Sequence, residues 1–142
     1  MKSALLTIAA LGCFSATPAV AVDVNKCKYE IDATNAALGM RHFGKTKADL
    51  EATLPPRERT IGDPQADFLH TIIDDIYSRP DVADFPYLHY QALLCRTRAQ
   101  GVAVNIPLAK VADQLVACQN THGTERSEAL TTCILQAVQA HL

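Results

Sequence analysis

The sequence predicts an all-α fold, a compact bundle of five to six helices stapled by two disulfides. Three observations predict it. Apolar residues recur at helical spacing along most of the chain, no segment alternates convincingly with a period of two, and four cysteines each fall on an apolar helical stripe.

The chain opens with Met1-Lys2-Ser3 and continues from Ala4 to Ala16 without a charge. Thr17-Pro18 then breaks the apolar run, and Ala19-Val20-Ala21 supplies the small residues that a signal peptidase needs. Residues 1–21 are therefore expected to be a cleavable secretory signal, and residues 22–142 a single helical domain. The apolar run falls short of the roughly 20 residues that span a bilayer, and no second such run follows, so no stable membrane insertion is expected. A lipoprotein reading would acylate Cys13, but Ala10 stands three residues before it where leucine is usual, and the Ala-x-Ala site is the better one. Formal net charge is −2 and becomes one more negative once Lys2 is removed. Charges so balanced, without blocks of one sign, argue against nucleic acid and against an anionic membrane surface as partners.

Each helix has its own signals. Cys27, Ile31, Thr34 or Asn35, and Leu38 share one face from Val24 to Phe43, and Gly44 can close that helix as a left-handed cap. Thr46 with Asp49 three residues on reads as an N-cap, and turns Leu50 and Leu54 inward before Pro55-Pro56. Pro56 to Gly62 is polar and reads as a surface loop. Asp63-Pro64 starts a helix whose stripe is Phe68, Leu69, Ile72, Ile73 and Ile76, stopped by Arg79-Pro80. A fourth helix begins near Pro86 with Leu88, Ala92, Cys95 and Ala99 inward and Gly101 as its cap. Pro107 opens the fifth, with Leu108, Val111, Ala112, Leu115 and Cys118 on one face. After a turn at Asn120 to Thr124, the sixth runs from about Arg126 with Ala129, Leu130, Cys133, Ile134, Ala137 and Val138 inward.

Cys13 leaves with the signal, so Cys27, Cys95, Cys118 and Cys133 remain as an even set in an exported chain, the pattern of two disulfides. None of their spacings suits a thiolate metal site. Three connectivities are possible. The last two helices are joined by a short turn and must be antiparallel neighbours, which puts Cys118 near Cys133 and leaves Cys27 for Cys95.

Catalytic signatures are sparse. Only Ser78 and Ser127 follow the signal, both at helix ends where hydroxyls cap or face water, and no thiol remains to act as a nucleophile. There is no Gly-x-Ser-x-Gly, phosphate loop or dinucleotide fingerprint, so no cofactor is expected. Asp67, His70 and Asp74 share a helix face with metal-ligand spacing, although a solvated face opposite the isoleucine stripe produces the same pattern. Glu30, Asp32, Glu51, Asp74 and Asp75 are carboxylates from which a glycan-cleaving pair could be drawn. Phe85, Tyr87 and Tyr90 lie in an aromatic group, Phe85 to Tyr90. Exposed, they would form an amphipathic patch of the kind that anchors protein interfaces; otherwise they pack over the connection before the fourth helix.

The order of a signal, an early cysteine, Gly44 before a short helix, an isoleucine-rich helix, Tyr77-x-x-Pro80 and a later cysteine resembles small exported bacterial proteins. That likeness spans about residues 27 to 95 and carries no activity with it. Periplasmic immunity proteins share the size, signal, helices and disulfides, but no motif here matches theirs. The sequence therefore leads to an expectation of a non-catalytic binding protein, periplasmic or secreted, whose partner is another protein, with inhibitor or immunity function as one concrete form. The alternatives are a small envelope enzyme acting on glycan and a structural or stress-protective protein.

Overall fold

The computed structural model describes residues 24–142, so the expected signal segment and Cys13 lie outside the described residues. Six helices follow in order: α1 (Val24–His42), α2 (Lys47–Glu51), α3 (Pro64–Ser78), α4 (Asp84–Ala99), α5 (Leu108–His122) and α6 (Glu128–Gln139), with one 3-10 turn at Arg57–Arg59 between α2 and α3. No strand occurs among the described residues.

Local chemistry sets the helix ends. Thr46 and Asp49 form a full capping box on α2. Asp63 accepts from the amides of Gln65 and Ala66 at the start of α3, and Pro64 occupies the first turn, where its missing N–H leaves no gap. Ser127 caps α6 through the amide of Leu130 at 3.1 Å. Gly44 and Gly123 follow α1 and α5 with φ of 77° and 83°, values that a side chain would strain.

Helix α4 is the hub, packed against α1, α5 and α6. It runs antiparallel to α1: Cys27 is bonded to Cys95 at one end of the pair, and Arg41 meets Asp84 at the other. Arg41 also donates to the carbonyl of Ile76 at 2.7 Å, so one guanidinium joins α1, α3 and α4. Helices α5 and α6 form a hairpin held by Cys118–Cys133. Both disulfides join the cysteines that the helical reading paired, with Cα atoms 5.6 and 5.8 Å apart, and two disulfides fit an oxidising, exported environment. Ile72, Val111, Leu115, Leu130 and Ile134 form the driest part of the core. Among the described residues, no helix is long and apolar enough to cross a membrane.

The differences from expectation are local. Helix α4 starts at Asp84, ahead of Pro86, and turns Tyr87, Tyr90 and Leu94 into the core while Leu88 is only half-buried. Ala129 is exposed, and Phe68 and Leu69 are half-buried. Val82 and Ile106, both in connections, are buried. The stretch read as a loop contains the 3-10 turn, whose Arg57 pairs with Glu51 and Asp74.

Truncating Leu115 to Ala should cost about 2–5 kcal/mol in urea denaturation, because its side chain is wholly enclosed; a loss under about 0.5 kcal/mol would contradict the core. Of the two disulfides, Cys27–Cys95 closes the longer loop, 68 residues against 15. Removing it by a double alanine substitution should cost about 4 kcal/mol, against about 3 for Cys118–Cys133, on the chain-entropy estimate. The reverse order in the same denaturation series would show that loop length does not govern their contributions.

Candidate functional site

A cleft of about 920 Å³ opens between α1, α3, α4 and the segment that leads into α5. Three local patterns build it. On α3, Asp67, Thr71 and Asp75 follow one another at intervals of four and line one wall. On α4, Tyr90, Gln91, Leu94 and Arg98 form a second wall by the same rule, and Tyr29 and Glu30 of α1 stand at the third. Asn105 to Leu108 complete it. The Tyr90 hydroxyl donates to the carbonyl of Ile106 and so fixes that segment against α4.

Polar groups line its depth. The Tyr87 hydroxyl donates to Asp75 Oδ2 at 3.1 Å and accepts from Gln91 Nε2 at 2.9 Å. The second oxygen of Asp75 accepts no hydrogen bond among the described residues. Burial pushes the Asp75 carboxyl up to about 6, the neighbouring charge of Asp74 adds to the rise, and the Tyr87 hydrogen bond opposes it. No cation forms an ion pair with it among the described residues. Burial and the charge of Asp75 in turn raise the Tyr87 hydroxyl well above its ordinary value. Nearer α1, Arg98 pairs with Glu30, which is itself buried. Among the described residues, the cleft therefore holds three carboxyl groups, Glu30, Asp67 and Asp75, against one cation, Arg98.

Of the two readings of the aromatic group, the exposed binding patch of Tyr87, Tyr90 and Phe85 gives way to packing. Tyr87 and Tyr90 are 1% and 2% exposed, because each hydroxyl finds an internal acceptor and each ring fills the space between helices. Phe85 is half-buried and stacks on His89 with ring centroids 5.7 Å apart. None of the three forms an open aromatic surface. The Asp67, His70 and Asp74 group is not assembled as a metal face either. His70 is buried, with Nε2 at 3.2 Å from the Pro55 carbonyl and Nδ1 without a partner. Asp74 turns to Lys47 and Arg57 at 2.8 and 3.0 Å, while Asp67 lines the cleft. Among the described residues, no three His, Cys, Asp or Glu side chains are grouped to hold a metal ion.

Of the carboxylates named from sequence, Glu30 and Asp75 meet in the cleft, and Asp32, Glu51 and Asp74 do not: Asp32 pairs with Lys28, Glu51 with Lys47 and Arg57. Thr71, Gln91, Arg98 and Asn105 are cleft residues that the sequence reading did not select. One signal for Gln91 was present: it follows Tyr87 by four, so a polar side chain repeats on a face that also carries Leu94 and Cys95.

Because the folded Asp75 carboxyl holds its proton more tightly than an unfolded one, folding gains stability as pH falls through about 6 toward 4 and loses it as pH rises through the same range. Asp75→Asn should therefore stabilise the protein above pH 7, by up to about 3 kcal/mol, and make little difference near pH 4. Urea titrations of both proteins at pH 4 and pH 8 check this; an equal difference at both values would mean that Asp75 titrates normally. Comparison with protein-family models, with curated proteins and with solved structures finds no match to this chain.

Proposed function

We propose that this is a small exported binding protein of the bacterial periplasm, without catalysis, and that it engages another protein through the cleft between α1, α3 and α4. The observation that carries the reading is Asp75, a half-buried carboxyl in a concave site with no ion-pair partner among the described residues. Such a group destabilises the free fold, and perturbed acids in clefts cluster where ligands bind. The two disulfides and the leader-like first residues support an oxidising compartment outside the cytoplasm. Inhibition of a toxin or enzyme is the concrete form of this role, since it needs only a rigid, complementary surface.

The test is capture from envelope and secreted fractions on oxidised protein, compared with a Thr71→Trp variant that fills the cleft from its exposed rim. A partner held by the native protein and reduced at least tenfold by the variant supports the reading. A partner held equally by both contradicts the cleft as the docking site.

One observation favours a second reading, an envelope enzyme acting on glycan. The cleft holds two carboxyl groups in unlike settings: Asp75 is protonatable near neutrality, whereas Glu30 lies in an ion pair with Arg98, and such pairs divide acid and base roles. Under it, purified peptidoglycan releases soluble fragments with the native protein and none with Asp75→Asn. No release by either would remove this reading.

A further inference from the structure

We infer that the cleft takes a cationic group on an alkyl stem, an ammonium or guanidinium of the kind carried by lysine and arginine side chains, with Asp75 as its anchor. This rests on the cleft being the binding site and adds the chemistry of what enters it. Depth and wall composition both point the same way. Phe68, Leu94, Ile106 and Leu108 supply apolar walls, which suit the methylene stem of such a side chain. At the polar end, Asp75 has one oxygen bonded to Tyr87 and the other without a hydrogen bond among the described residues, ready for a donor. Gln91, only 5% exposed, adds an amide oxygen with no donor among the described residues, its Nε2 being held by Tyr87. Tyr29 stands 41% exposed at the rim, where a ring face can cover a cation.

The charges facing the site agree. Asp67 and Asp75 come from α3, Glu30 from α1 and Arg98 from α4, while Asp74, next to Asp75, is paired outside the cleft with Lys47 and Arg57. Tyr87 and Tyr90 are neutral phenols there, and the segment entering α5 brings no charged group. Arg98 is engaged with Glu30, so the deep acid remains for a ligand. An incoming cation would offset the desolvation that holds the Asp75 proton, and an anion would meet three carboxylates. Binding therefore couples to ionisation of Asp75: the competent form is the carboxylate, and a protonated carboxyl has no charge to offer.

The source of the cation is either a basic side chain of a protein partner or a free organic amine, and two probes separate them. Oxidised protein is titrated with agmatine and with a blocked pentapeptide carrying one central arginine, beside the same peptide with citrulline, and followed by amide chemical shifts. The expected result is saturable shifts confined to the cleft with at least one arginine-type probe at pH 7.5. They weaken about tenfold at pH 5, the fall in carboxylate that an Asp75 value near 6 produces, and are absent in Asp75→Asn and with citrulline. Saturation by the peptide alone identifies a protein side chain as the source, and by agmatine alone a free amine. Asp75→Asn keeps the shape and the Tyr87 contact, and Thr71→Trp serves as a second block from the rim. Silence from both probes, or binding unchanged at pH 5 or in Asp75→Asn, overturns the inference. If a partner is still captured in a Thr71-dependent way, the cleft remains the docking site and only the cationic anchor falls.

Discussion

The contact between Asp75 on α3 and Tyr87 on α4 is the interaction on which the site depends. Burying a carboxyl between two helices is unfavourable unless a donor meets it, and here the donor is a phenol held by Gln91 rather than a cation. The choice of a neutral donor leaves the charge uncompensated and sets its affinity for a proton. It also dictates that the tyrosines of α4 point inward. Tyr87 must reach α3 to hold Asp75, and Tyr90 one turn on secures the segment before α5 and lines one wall of the cleft.

The covalent frame keeps that geometry in place. Cys27–Cys95 ties α1 to the C-terminal part of α4, and Arg41 joins the opposite end of α1 to Asp84 and Ile76. With both ends fixed, Glu30 and Arg98 meet across the cleft. The hairpin of α5 and α6 is closed by its own disulfide and supplies much of the dry core through Val111, Leu115, Leu130 and Ile134. Stability thus rests mainly on apolar burial and cross-linking, which frees the α3 and α4 surfaces to carry polar groups that do not serve the fold.

Residues with local causes were legible in the sequence. Thr46 with Asp49, Asp63-Pro64 and the terminal glycines define helix ends through neighbours only a few residues away, and the cysteines fall on apolar stripes, with the short turn between α5 and α6 selecting one of their three possible pairings. Helix α4 was harder because it is covered on several sides: Pro86, Tyr87, Tyr90, Gln91, Ala92, Leu94 and Cys95 are all buried, so apolar periodicity selects no single inner face. His70 sits at a spacing that predicts a solvated face, whereas its cover comes from Pro55, fifteen residues back. The cleft combines α1, α3, α4 and residues 105–108, and the fate of each acid depends on which distant cation reaches it. Asp74 finds Lys47 and Arg57, its neighbour Asp75 finds none among the described residues, and nothing in the Asp-Asp dipeptide distinguishes them.

Asp75 is half-buried and has no ion-pair partner among the described residues, a state that a carbon-detected NMR titration of its side-chain carboxyl in the oxidised protein reads out. The structure calls for a midpoint near 6, with the Tyr87 ring signals shifting in the same transition. A midpoint near the ordinary aspartate value of 3.8, or one independent of Tyr87→Phe, would contradict it.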